Sequence, residues 1–87
     1  MSVLAGNLKI NGDRLWKSIM EIAKIGPGIA GGNNRQTLTD EDAKGRALFQ
    51  KWCDEANLSM GIDKMGTMFA RREGTDPGAL PVYVGSH

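Results

Sequence analysis

The chain of 87 residues carries 11 Lys+Arg against 10 Asp+Glu, with one His, one Cys and 12 Gly. That length holds one small domain at most, burying about 60–65% of its unfolded surface, which is enough for a modest core and too little for a deep two-walled cleft. A formal charge of +1 provides no electrostatic footprint for nucleic acid or an anionic membrane. One Cys excludes an internal disulfide, and one His with one Cys excludes a closed zinc site built of those two residue types alone.

The first seven residues lack the basic and apolar regions of a signal peptide, and no apolar run approaches the ~20 residues of a membrane span. The expected location is therefore cytoplasmic, with neither membrane nor nucleic acid as partner. Residues 12–25 predict an amphipathic helix. Leu15, Ile19 and Ile22 recur at helical spacing, Trp16, Met20 and Ala23 repeat it one residue on, and Arg14, Lys17, Ser18, Glu21 and Lys24 fill the other face. Asn11 or Asp13 caps the first turn, and Gly26-Pro27 stops the helix because proline disfavours helical geometry in the residue before it. Residues 26–36 then form a loop with Gly26, Gly28, Gly31, Gly32, Pro27, Asn33 and Asn34.

A second helix follows. Thr39 with Asp42 three residues on resembles a capping box, and Asp40 and Glu41 suit the positive end of the helix dipole. Gly45, Leu48, Phe49, Trp52, Cys53 and Ala56 form one continuous stripe, in which a glycine suggests close packing against another element. From Leu58 the period changes to two: Leu58, Met60 and Ile62 alternate with Ser59, Gly61 and Asp63. A turn at residues 63–66 and a return strand over 67–72 complete a predicted β-hairpin. After a loop over residues 73–79, Val82-Tyr83-Val84 is a continuously apolar, β-forming run of the kind covered on both faces in an α/β sheet.

Gly26-Pro27-Gly28-Ile29-Ala30-Gly31 matches the dinucleotide fingerprint literally, but a helix precedes it where a strand is required. Asn33, Asn34, Arg35 and Gln36 are either contacts for a carboxylate or amide ligand, or a connector whose Arg35 pairs locally. Cys53 reads as a buried, inert thiol, Trp16 and Trp52 as core anchors, and Arg71-Arg72 as a solvated pair. His87 follows directly on the apolar run, where α/β proteins place ligands, and imidazole is a common metal ligand. Position alone leaves three readings of it open: a metal ligand, a surface histidine, or part of a Gly-Ser-His tag linker.

Five blocks carry a resemblance. They are Asn11-Gly12-Asp13-Arg14-Leu15-Trp16, Met20-Glu21-Ile22-Ala23-Lys24-Ile25-Gly26, the run from Gly31-Gly32-Asn33-Asn34-Arg35 through Thr39, Asp63-Lys64-Met65-Gly66-Thr67-Met68-Phe69-Ala70, and Val84-Gly85-Ser86-His87. In this order and spacing the chain resembles the N-terminal segment of N-carbamoyl-amino-acid amidohydrolases. That family includes L-carbamoylases, β-ureidopropionases and allantoate amidohydrolases, within the dinuclear metallopeptidase superfamily. The resemblance implies an α/β fold in which residues 1–87 are the N-terminal part of the catalytic domain: two helices, a β-hairpin and the first buried strand. It implies hydrolysis of an N-carbamoyl amino acid to amino acid, carbon dioxide and ammonia, with two divalent ions (Zn, Mn, Co or Ni) activating water against a resonance-stabilised carbonyl. It implies His87 as a metal ligand, no catalytic residue within this segment, a homodimer at full length, and an inactive 87-residue piece. The competing expectation is a small non-enzymatic α+β binding module.

Overall fold

Asn11 opens the first helix, α1 (Gly12–Ala23), in the computed structural model, which describes residues 8–86. Its side chain accepts the Arg14 backbone N–H at 3.0 Å, satisfying one of the donors that a first helical turn leaves free. The helix stops two residues short of the expected end. The Lys24 and Ile25 amides reach back only three residues, to the Glu21 and Ile22 carbonyls (3.2 and 3.1 Å), and Gly26 then turns the chain at φ +67°. Arg14, Lys17, Glu21 and Lys24 of the polar face are exposed as expected and Ser18 is half-buried, but the apolar face is largely uncovered. Leu15, Ile19 and Met20 are exposed and only Ile22 and Ala23 are half-buried. Trp16 is 63% exposed and therefore is not the core anchor its spacing suggested.

The glycine-rich loop folds back on itself as a miniature ribbon. Pro27 bridges Asn33 in antiparallel sense, the Gly28 N–H meets the Gly32 carbonyl at 2.7 Å, and the Asn34 N–H meets the Gly26 carbonyl at 2.6 Å. A single 3-10 turn, Ile29–Gly31, closes its tip.

Helix α2 (Asp40–Glu55) begins where Thr39 and Asp42 predict. The Thr39 hydroxyl accepts the Asp42 N–H at 3.2 Å. In return the Asp42 carboxylate accepts the N–H of Leu38, one residue before the cap, also at 3.2 Å, and holds Leu38 at φ 68°. The helix ends in a double backbone closure. The Leu58 N–H reaches the Cys53 carbonyl and the Asn57 N–H the Asp54 carbonyl, with Asn57 left-handed at φ 59°. Asparagine tolerates that conformation better than other non-glycine residues, and the pairing satisfies carbonyls of the last turn. On the α2 stripe Gly45 and Cys53 are buried, Leu48 and Trp52 are half-buried, and Phe49 is exposed.

Strands β1 (Ser59–Ile62) and β2 (Met68–Arg71) pair antiparallel with Ser59 opposite Arg71 and Ile62 opposite Met68. Asp63 builds the connection: its carboxylate accepts the Met65 and Thr67 N–H groups, each at 2.9 Å, and its carbonyl accepts that of Gly66. Gly66 sits at φ +88°, which a side chain would oppose. Leu58, Met60 and Met68 are half-buried on the apolar face, while Ile62 is exposed.

The first buried strand expected at Val82, Tyr83 and Val84 does not form. These residues are in no strand, and Val84 is 97% exposed. A strand needs a neighbour for its backbone donors and acceptors, and among the described residues the sheet consists of β1 and β2 alone. By contact, the chain divides into two compact units, Met1–Phe49 and Gln50–His87, with the boundary inside α2.

Candidate functional site

The polar cluster after the glycines bonds back to the end of α1. The last carbonyls of a helix lack intrahelical amides, and at the end of α1 side chains reach them, including the Ile22 carbonyl, which the Ile25 amide also meets. Asn33 Nδ2 donates to the Ala23 carbonyl at 3.1 Å. Arg35 Nη1 donates to the carbonyls of Ile22 and Ile25, at 2.6 and 2.9 Å. The half-buried guanidinium thus lies at the negative end of the α1 dipole, a favourable place for a cation.

The rest of the Arg35 side chain lies against two glycines. A Cβ on Gly26 would come within 2.7 Å of both Arg35 Cγ and the Asn34 carbonyl oxygen, so only glycine fits there. A Cβ on the buried Gly45 would lie 3.4 Å from Arg35 Cδ, an ordinary contact. The element packed against Gly45 is therefore an arginine stem. Of the two readings of this cluster, the connector whose Arg35 pairs locally describes Asn33 and Arg35. Their donors Nδ2 and Nη1 are engaged by backbone and are not aimed outward at a ligand. Asn34 contributes its backbone N–H to the ribbon, and Gln36 contributes its carbonyl to the Thr39 amide and hydroxyl.

The fingerprint-like glycines also take a structural place. Helix α1 precedes them and α2 begins only at Asp40, so no helix N-terminus receives a phosphate at Gly31. Cys53 is buried, and burial first, then the negative charge of Asp54, pushes its thiol up from the ordinary range. A thiol held protonated is a poor nucleophile, as its place on the stripe indicated. Arg71 meets Glu73 at 3.5 Å in solvent, an exposed pair of small worth, and Arg72 is exposed.

His87 lies outside the described residues. Among the described residues no group of three or more His, Cys, Asp or Glu side chains is placed to hold a metal ion. No helix among the described residues is long and apolar enough to cross a membrane. The sequence reading missed the left-handed Asn57; its signal is an asparagine directly after the last residue of the apolar stripe.

No family model matches the chain. Over all 87 residues it is 69% identical to an N-carbamoyl-L-amino-acid amidohydrolase of Rhizobium meliloti, of which it covers 21%. It is 38% identical over 78 residues to the enzyme of the same name from Geobacillus stearothermophilus, a match covering 90% of this chain and 19% of that one. Among solved structures, it superposes with a TM-score of 0.82 on a hydantoinase/carbamoylase family amidase from Burkholderia ambifaria, at 47% identity over 86% of this chain and 18% of the other. The chain spans about a fifth of the length of the curated relatives it matches.

Proposed function

We propose, from the premise that this chain resembles N-carbamoyl-amino-acid amidohydrolases along its whole length, that it is the N-terminal part of the catalytic domain of such an enzyme. The full-length protein hydrolyses an N-carbamoyl amino acid to the free amino acid, carbon dioxide and ammonia. The observation that carries this reading is the 69% identity to the Rhizobium meliloti enzyme without interruption of coverage across this chain. The conformation supports it, because 86% of this chain superposes on part of a much longer amidase. The rival reading, a free-standing binding module, has no comparable support.

In this proposal the described residues supply architecture and no reacting group. His87 contributes one imidazole to a site for two divalent ions, Zn, Mn, Co or Ni, and every other donor comes from polypeptide outside these residues. The described residues hold no group of three or more metal-binding side chains, and no step of the hydrolysis is derived from them. The proposal extends to a cytoplasmic homodimer at full length.

The test is hydrolysis of a panel of N-carbamoyl amino acids by the full-length protein, with and without a chelator, following ammonia and free amino acid. Expected are release of both in equal amounts, loss of activity on chelation with recovery on adding metal, and a loss of at least about 100-fold in His87→Ala. Activity on no N-carbamoyl amino acid, or activity indifferent to chelation, contradicts the reading.

A further inference from the structure

Asn11-Gly12 is the one place in the sequence where glycine follows asparagine; Asn7, Asn33, Asn34 and Asn57 precede Leu, Asn, Arg and Leu. An asparagine amide is open to attack by the backbone nitrogen of the next residue, and a side chain on that residue crowds the approach. Glycine has none. Both Asn11 and Gly12 are exposed, and a Cβ built on Gly12 meets nothing within 4 Å. No described residue accepts the Gly12 N–H, which is one of the donors that a first helical turn leaves without an intrahelical partner.

We infer that Asn11-Gly12 is a site of spontaneous deamidation, which gives the cap of α1 a chemical lifetime. The Gly12 nitrogen bonds to Asn11 Cγ, the Cγ–Nδ2 bond breaks, and ammonia leaves with the former Gly12 amide proton. The product is a cyclic succinimide. Water, the one co-reactant, then opens the ring at either carbonyl. Opening at Cγ gives aspartate, and opening at the main-chain carbonyl gives isoaspartate, with Cβ inserted into the backbone.

The folded cap delays this reaction without preventing it. At ψ 95° the Asn11 Cβ and the Gly12 nitrogen point nearly opposite ways about the Cα–C bond, and Oδ1 is held by the Arg14 N–H at 3.0 Å. Ring closure therefore waits for the first turn to open. A capping side chain favours the closed turn by only about 5-fold, and helix termini open locally at little cost. The two products then differ in consequence. Aspartate keeps an oxygen for the Arg14 N–H and adds negative charge at the positive end of the α1 dipole. Isoaspartate displaces both that oxygen and the carbonyl that takes the Leu15 N–H at 3.0 Å, so those copies of α1 start uncapped. The inference is independent of the proposed function.

In the experiment the full-length protein is incubated in heavy-oxygen water at neutral to mildly alkaline pH. Peptides taken over time are mapped by mass spectrometry, with electron-transfer fragmentation separating aspartate from isoaspartate. Both products are expected at position 11, carrying heavy oxygen and forming at least about 10-fold faster than at Asn33, Asn34 or Asn57. Gly12→Ala, which adds a Cβ into open space, is expected to slow the reaction at Asn11 by at least about 10-fold. An unchanged Asn11, a rate no greater than at the other asparagines, aspartate without isoaspartate, or a Gly12→Ala variant that reacts as fast as the original overturns the inference. The comparison among asparagines is made within the unaltered protein, and it decides the matter should Gly12→Ala fail to fold.

Discussion

The junction behind α1 and the apolar run at residues 80–84 meet opposite outcomes. At the junction, Asn33 and Arg35 satisfy the carbonyls of Ala23, Ile22 and Ile25 within 13 residues of sequence. At the run, Leu80, Val82, Tyr83 and Val84 stand exposed with no strand beside them. The same contrast runs through the described residues. No buried side-chain nitrogen or oxygen lacks a partner, yet Cys53 is the one buried apolar side chain. Polar groups can be satisfied by near neighbours, whereas burial of apolar surface requires bulk. A segment of this size can thus close its hydrogen bonds without covering its hydrophobic faces.

Substitutions at the junction probe the self-contained half of this contrast. The largest effect is expected at Gly26. Gly26→Ala adds a Cβ at φ +67°, 2.7 Å from the Asn34 carbonyl oxygen, and costs about 3 kcal/mol from strain and clash together. Urea unfolding of the full-length protein measures it. Next is Arg35→Met, which keeps much of the stem over Gly45 and removes both bonds to the α1 carbonyls. A loss of about 2 kcal/mol is expected, since bonds from a charged donor exceed neutral ones, with Arg35→Lys falling between. The smallest change has the opposite sign. Gly45→Ala meets only an ordinary contact with Arg35 Cδ at 3.4 Å and relieves the helix of a glycine, so it stabilises by up to about 1 kcal/mol. A destabilisation there would mean that α2 packs more tightly on Arg35 than the geometry shows.

The local chemistry of the chain was legible in its residues. Asn11 and Thr39 cap the helices they precede, because a capping side chain bonds within three residues and needs no tertiary context. The hairpin turn is likewise local, since Asp63 bonds Met65 and Thr67. That Arg35 pairs within its own neighbourhood was also readable. Which carbonyls it takes was not, because they lie 10 and 13 residues back and meet it only once the ribbon has folded over. Trp16 and the run at 82–84 failed for a different reason. Their spacing states what they need to bury, not whether this length of chain contains the cover.

The central claim is that these 87 residues are one part of a larger folded enzyme that completes their apolar burial. Amide hydrogen exchange at Val82, Tyr83 and Val84, measured in the 87-residue chain and in the full-length protein under the same conditions, tests it most directly. Expected are exchange near the unprotected rate in the short chain and slowing by at least about 1,000-fold in the long one, as these amides enter a sheet. Equal exchange in the two, whether both fast or both slow, would contradict it.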